Sequence, residues 1–301
     1  MKIGALIISR VINESVNQIS ALKKIGTISA LLRIVLTFKR AGIESIYIVS
    51  NQEEEIKKEI SKLGVTFIPA DSDEKEMFYY VKKGLEYLQE KEEFLFIMPS
   101  NVPLFTIDTI RQLAGTRNLV TIPMNRGISG HPLFIDADVI PSILSYQGPH
   151  GLSGAVKNLD CEINRIEVDD SGVVVYELDD QEFPTALDNH SLNEFHPEIR
   201  VRIGKEKPFL GPGTKQLLFL VEETGSLRLA CEYMGISYSK GRGMIDTMEK
   251  QLGYSVLERK QGGETGGSSN LTPKGSDILN RYHEYEKNVR EYAEKLFFDY
   301  F

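Results

Sequence analysis

Over the first two thirds of the chain, short apolar runs alternate with segments of helical spacing, and this alternation restricts the fold more than any other feature of the sequence. Lys2 to Ser9 reads as a buried strand. Ile28 to Ala41 carries helical spacing through Leu31, Leu32, Val35 and Leu36 and stops at Gly42, and Ser45 to Ser50 is again a strand. The rhythm continues with a charged helix over Glu53 to Leu63, a strand over Val65 to Pro69, a helix over Glu74 to Gln89 and an apolar strand over Glu93 to Met98. Beyond Pro103 come a helix near Thr106 to Ala114, strands at Leu119 to Pro123 and His131 to Ile135, and a helix from Ala137 to Ser145. Ile163 to Val168 and Val173 to Leu178 flank Asp169, Asp170, Ser171 and Gly172, which reads as a hairpin. Repeated β-α alternation predicts a three-layer α/β domain with a mostly parallel sheet, its pocket at the C-terminal strand ends near Ser9, Asn101 and His131.

Between about Asp188 and Gly213 the pattern dissolves into Asn, His, Pro and Gly, which places a domain over residues 1–190, a linker over 191–208 and a second domain over 209–301. The second domain has its own rhythm. Thr214 to Glu223 is a helix ending at Thr224 and Gly225; Ser226 caps a second helix through Met234; Gly235 turns the chain; Ser237 caps a third helix to about Leu252. This spacing is that of a helix-turn-helix. Two short strands, Ser255 to Lys260 and Ser269 to Leu271, enclose a Gly-rich tip. A long helix from Pro273 to about Phe298 carries an apolar stripe at Ile278, Tyr282, Tyr285, Val289, Tyr292 and Leu296, a face that packs on its own domain or on a second copy and predicts a homodimer.

Composition narrows the class. With 301 residues, 41% hydrophobic and 26% charged, the chain is neither a disordered tail nor a collagen nor a coiled-coil rod. No window approaches ~20 consecutive apolar residues, and the N-terminal stretch lacks a signal-peptide cleavage pattern, so the expectation is a cytoplasmic protein without a membrane partner. Cys161 and Cys231 are too far apart in sequence, and too few, for a disulfide framework or a zinc site. The net charge of -8 is unevenly spread: residues 1–199 hold 19 Lys+Arg against 29 Asp+Glu, residues 200–301 hold 16 against 14. An acidic ligand domain joined to a mildly basic one suits a regulator of which one end approaches a polyanion.

The stretch from Leu210 to Tyr285 resembles the winged-helix domain of molybdate-responsive (ModE-type) and LysR-type regulators. The resemblance rests on Gly211 to Gly213, Glu223 to Ser226, Met234 to Tyr238, Glu258 and Arg259, the Gly-rich wing, and Leu271 to Gly275. It implies binding of double-stranded DNA, with Ser237, Tyr238, Ser239, Lys240 and Arg242 at the start of the third helix and Arg259 and Lys260 on the wing. Hydroxyls and cations at a helix N-terminus independently suit phosphate and base-edge contacts. Gly241 and Gly243 depart from an ordinary helix and permit close backbone approach to DNA; the wing also carries Glu264.

Residues 1 to about 187 resemble the MobA- or MocA-like nucleotidyltransferases of molybdenum cofactor maturation, which have the nucleotide-diphospho-sugar-transferase-like fold. The likeness lies in the opening strand, Ile25 and Gly26, Lys39 to Ile43, Met98 to Pro103, Gly127 to Pro132 and Glu177 to Asp179. Two departures fall where the family does its chemistry. The loop after the first strand, Ser9 to Ser20, has no glycine where the family's Gly-rich phosphate loop would be, although Lys23 and Lys24 follow. Asn101 stands where the family carries the Asp that binds Mg2+. The expected ligand-lining residues are Ser9, Arg10, Asn13, Lys23, Ser100, Asn101, Gly130, His131, Glu177 and Asp179, with no metal ligand set and Mg2+ only if nucleotidyl transfer survives. The resulting expectation is a DNA-binding regulator whose former enzyme domain senses a small molecule, a nucleotide or a molybdenum- or pterin-related ligand. The rival is a working CTP- or GTP-dependent nucleotidyltransferase that carries a DNA-binding module.

Overall fold

The computed structural model describes residues 2–9, 18–50, 53–60, 63–70, 76–260, 268–297 and 299–300. The chain divides into two compact units, the first running to Glu194 and the second starting at Phe195.

The first unit contains, in chain order, β1 (Ile3–Ser9), β2 (Lys24–Ile25), β3 (Ile28–Ser29), α1 (Ala30–Arg40), β4 (Ser45–Ser50), α2 (Glu53–Ile60), β5 (Thr66–Ile68), α3 (Met77–Leu88) and β6 (Phe94–Pro99). There follow α4 (Ile107–Ala114), β7 (Val120–Asn125), β8 (Ile128–Ser129), β9 (Leu133–Asp136), α5 (Ile140–Ser145), α6 (Gly151–Lys157), β10 (Ile163–Glu167) and α7 (Phe183–Asp188). The main sheet has the order β10-β7-β9-β6-β1-β4-β5, with β8 added on β7. The β1–β4, β1–β6, β4–β5 and β7–β10 pairs are parallel, whereas β9 runs antiparallel to both β6 and β7.

Continuous apolar runs make this sheet because its strands are covered on both faces. On one side Leu6, Ile8, Tyr47, Val49, Leu95 and Ile97 pack under α3, α5 and α6 through Tyr80, Leu85, Ile143 and Val156. On the other, Phe38 of α1 meets Phe96 and Phe105 with ring centroids 5.5 and 5.2 Å apart. α1 starts at Ala30, two residues later than expected, because Ile28 and Ser29 pair in β3 and Ser29 Oγ accepts the Leu32 N–H at 3.1 Å, and Gly42 takes φ +89° just past its end.

Two expectations are corrected here. No hairpin spans Asp169 to Gly172: β10 pairs in parallel with β7, and residues Ser171–Val174 form a 3-10 turn. The Asp-Asp-Ser-Gly run turns the chain, but Asp170 uses its side chain to bind another part of the unit. Nor are residues 191–208 a plain linker. Ser191–Asn193 form a 3-10 turn within the first unit, and the second unit includes an antiparallel hairpin of β11 (Ile203–Gly204) and β12 (Pro208–Leu210).

The second unit continues with α8 (Pro212–Thr224), α9 (Leu227–Tyr233), α10 (Tyr238–Leu252), β13 (Leu257–Lys260), β14 (Ser268–Leu271) and α11 (Pro273–Phe297). Ser226 and Ser237 cap α9 and α10 by accepting the Leu229 and Lys240 N–H groups. Its core gathers Leu217, Val221, Ala230, Ile245, Met248, Val256, Leu279 and Tyr282. Gly241 lies inside α10 because a Cβ there would collide with Cys231 Sγ, whereas Gly243 faces open space. The stripe on α11 is divided: Tyr282 is fully buried, with its hydroxyl donating to the Val201 carbonyl at 2.9 Å, and Ile278 and Val289 pack partly on the same core. Tyr285, Tyr292 and Leu296 are exposed.

Candidate functional site

Three neighbouring strands deliver the site. The register sets Ile8 beside Pro99 and Ile97 beside Leu133, so Ser9, the pair Ser100 and Asn101, and His131 leave the sheet at one edge. The Ser100 N–H donates to the Ile8 carbonyl at 2.9 Å, which carries the pairing one residue past the strand end. At this edge the chain departs into loops, so side chains here escape the helices that cover the sheet. Ser9 is fully buried, yet its Oγ finds no hydrogen-bond partner among the described residues, and the same holds for Asn101 Oδ1 and His131 Nδ1. Burial lowers the His131 imidazole to about 4, against a hydrogen bond to the Ile97 backbone that acts in the opposite direction. The ring is therefore neutral at pH 7. A neutral imidazole accepts at one ring nitrogen and donates at the other, and Nδ1 is the one without a partner among the described residues.

The segment after β10 walls this edge. The His131 N–H donates to the Val173 carbonyl at 2.9 Å and the Ile19 N–H to the Tyr176 carbonyl at 3.2 Å, while Gln18 and Glu177 form an isolated bridge. The Tyr176 ring stands edge-on to His131 with centroids 6.4 Å apart. A Cβ on Gly130 would run into the Val173 carbonyl, and one on Gly172 into the Leu104 carbonyl, so backbone rests directly on backbone at both points. Asp170 anchors the wall. Its carboxylate accepts the Thr106 N–H (2.8 Å), the Thr106 hydroxyl (3.0 Å), the Thr109 hydroxyl (2.5 Å) and the Gly172 N–H (3.0 Å). The start of α4, just after Ser100 and Asn101, is thereby tied to the loop that supports His131. Burial pushes the Asp170 carboxyl up, and those four bonds pull it back.

Residues 20–163 match the family model described as the MobA-like NTP transferase domain. A curated relative, the molybdenum-pterin-binding protein MopB of Rhodobacter capsulatus, is 30% identical over 80 residues, which is 27% of this chain and 30% of that protein, so the match spans less than a third of the relative's length. Among solved structures, 4-diphosphocytidyl-2C-methyl-D-erythritol synthase of Anaerococcus prevotii is 13% identical, with 62% of this chain and 95% of that one covered and a TM-score of 0.49. A nucleotidyl transferase from Methanothermobacter thermautotrophicus is 14% identical, with 56% and 88% covered and a TM-score of 0.46.

The match to a nucleotidyltransferase family model raises the question of a divalent metal, and the described residues do not fit one. Among the described residues no group of three or more His, Cys, Asp or Glu side chains is placed to hold a metal. Asn101 offers a neutral amide oxygen where a hard dication takes carboxylates. Glu177 and Asp179 do not alternate along a strand as the sequence suggests: Glu177 sits in its single bridge and Asp179 in a turn, and both are exposed. The structure thus brings together Ser9, Ser100, Asn101, Gly130 and His131. Lys23 is half-buried in the turn before β2, where its N–H donates to the Ser20 carbonyl, while Arg10 and Asn13 lie outside the described residues.

A second buried polar cluster contains none of the residues expected in the site. Arg33 in α1 donates from Nη2 to the Ile25 carbonyl (2.8 Å) and from Nη1 to His190 Nδ1 (3.4 Å), which also accepts the Leu192 N–H (3.1 Å). Arg40 donates to the Ser191 carbonyl at 3.2 Å. Burial, followed by the Arg33 charge, holds His190 at about 3, and burial lowers both guanidinium groups. The cluster clasps the last turn of the first unit onto α1. One signal for it stands in the sequence, an arginine among Leu31, Leu32, Ile34 and Val35 in an otherwise apolar part of a helix; nothing marks Asp170 or His190.

In the second unit, Ser237, Tyr238, Ser239, Lys240 and Arg242 occupy the exposed first turns of α10, with Arg242 paired to Asp246 at 3.6 Å. Arg259 and Lys260 end β13 opposite Ser269 and Ser268; their side chains and the tip at residues 261–267, Glu264 included, lie outside the described residues.

Proposed function

We propose that the chain is a ligand-responsive DNA-binding regulator: its MobA-like domain senses a small molecule, and its second unit, a winged helix-turn-helix, binds double-stranded DNA as a homodimer. The observation that carries this reading is α10. Its hydroxyl- and cation-bearing first turns are solvent-exposed, while α8, α9 and the β13–β14 hairpin hold it from behind, the arrangement by which a recognition helix enters the major groove. Two further observations favour sensing over transfer: Asn101 at the metal position and the loop after β1 without glycine. The name of the relative MopB makes a molybdenum-pterin ligand worth testing beside nucleotides.

The test is a salt-titrated binding assay on the DNA upstream of the protein's own gene, with a scrambled control. Changing Arg259 and Lys260 to Ala weakens all sequences alike and flattens the salt slope by up to ~0.9 for each phosphate no longer neutralised. Tyr238→Ala or Arg242→Ala reduces discrimination between sites by about 1–3 kcal/mol for each base edge read. Equal affinity for both DNAs, unmoved by either change, removes the regulator reading. The match to a nucleotidyltransferase family favours a second reading, a working CTP- or GTP-dependent enzyme; robust pyrophosphate release by the wild-type protein with Mg2+ establishes it.

A further inference from the structure

The three atoms without partners at the strand edge share one chemistry. Ser9 Oγ, Asn101 Oδ1 and His131 Nδ1 belong to uncharged side chains, and buried polar atoms left without a partner mark a group that comes from outside the chain. Oδ1 of Asn101 is an acceptor. The neutral ring of His131 accepts at Nδ1 in its Nε2–H tautomer, and a hydroxyl accepts as readily as it donates. A phosphate or another oxyanion placed here would meet lone pairs instead of the N–H donors and cations it needs. A hard cation would find no carboxylate in the set. The three atoms come from adjacent strands, so they spread over about 10 Å, two strand spacings, a line of acceptors suited to a flat molecule with several N–H groups along one side.

We propose that this edge binds the uncharged nitrogen ring of the ligand, a nucleobase- or pterin-type heterocycle presented by its N–H edge, with Ser9 Oγ, Asn101 Oδ1 and His131 Nδ1 as acceptors. This deepens the ligand-sensing reading and rests on it. The part of the site that would hold metal and phosphate in a nucleotidyltransferase here reads the ring. Selectivity then follows from the pattern of N–H and C=O groups along the heterocycle, and phosphorylation of the ligand is irrelevant to it. The Asp170 anchor sets the distance between Asn101 and His131, because it joins the chain after the first to the loop behind the second.

The experiment is calorimetric titration of the full chain with guanosine, cytidine and neopterin, with CTP and GTP in the presence and absence of Mg2+, and with molybdate and pyrophosphate. The expected result is that at least one uncharged ring compound binds without Mg2+, and that its triphosphate, where tested, binds no more than about twofold tighter. Ser9→Ala and His131→Phe each weaken that binding by about tenfold or more, while Glu54→Gln, on the exposed face of α2, leaves it unchanged. Ser9→Ala keeps the test available if His131→Phe does not fold. Binding only of Mg2+-triphosphates, binding of molybdate or pyrophosphate with no affinity for the rings, ring binding indifferent to both substitutions, or no binding by any probe overturns the proposal. The sensor reading fails separately: a ring compound that binds as expected but leaves DNA affinity unchanged removes sensing and keeps the ring site.

Discussion

The two units treat their buried polar groups in opposite ways. In the second, Glu286 is buried in the core face of α11 but pairs with Lys215 at 2.9 Å and Arg290 at 3.3 Å, and the Tyr282 hydroxyl beside it donates to a backbone carbonyl. In the first, Ser9, Asn101 and His131 at the strand edge, and Arg33, Arg40 and His190 beneath the loops, all keep a buried polar atom without a partner among the described residues. The first unit is not uniformly short of partners, since its buried Asp170 accepts four hydrogen bonds; the atoms left without one gather at the strand edge and beside Arg33.

The sharpest way to break this contrast is Asp170→Ala. It strands two amide and two hydroxyl donors between α4 and the wall loop, which costs ~3 kcal/mol or more. Hydrogen exchange is expected to rise around Thr106–Thr109 and Ser171–Tyr176 and to stay unchanged in α8 to α11. Next is Glu286→Ala, which removes the acceptor of two cations and costs roughly 2 kcal/mol, confined to the second unit. A spread of either loss into the other unit would show that the two interiors are not independent.

Acid separates the units by window. His131 and His190 are held below the ordinary 6.5, at about 4 and about 3. The unfolded chain therefore takes up their protons first, and the first unit loses stability as pH falls from 6.5 toward 4. Glu286 has its carboxyl lowered from 4.5, because although burial raises it, Lys215 and Arg290 outweigh that. Its contribution is present above 4.5 and is lost only as pH falls further. Exchange measured from pH 7 down to 4 should rise in the first unit before the second, and a His131→Gln, His190→Gln variant should flatten the early rise. The smallest effect is at Gly243, exposed with no atom near its added Cβ. Gly243→Ala is expected to stabilise α10 by up to ~1 kcal/mol; if DNA backbone comes close at that point, binding weakens in the same variant whose melting temperature rises.

What could be read from the sequence follows the range of the interaction responsible. Strands β1, β4, β5 and β6 and the caps at Ser226 and Ser237 rest on neighbours within a few residues and stand where the local pattern puts them, whereas the short β2–β3 hairpin occupies Ile28 and Ser29, which the pattern assigned to helix. The turn chemistry of Asp169 to Gly172 was equally visible but misleading, because the partners of Asp170 are Thr106 and Thr109, more than sixty positions away. A contact between two helices hides why a glycine stands at position 241 inside α10: Cys231 on α9 occupies the space a side chain would take. Ser9, Asn101 and His131 were expected together from their motifs, and the register places them at one strand edge. Their lack of partners among the described residues is visible only once three strands have been laid side by side.

The wall behind His131 is stacked main chain on main chain, Leu104 against Gly172 and Val173 against Gly130. At Gly172 the contact is with main chain alone, and at Gly130 the Val173 carbonyl and side chain both stand against it, so an added Cβ meets a fixed backbone oxygen at either point. In a library of variants, positions 130 and 172 would tolerate almost nothing but glycine, while Ser9, Asn101 and His131 would accept replacements that keep their volume. Variation at this edge is therefore confined to side chains, while the outline of the wall behind them stays fixed.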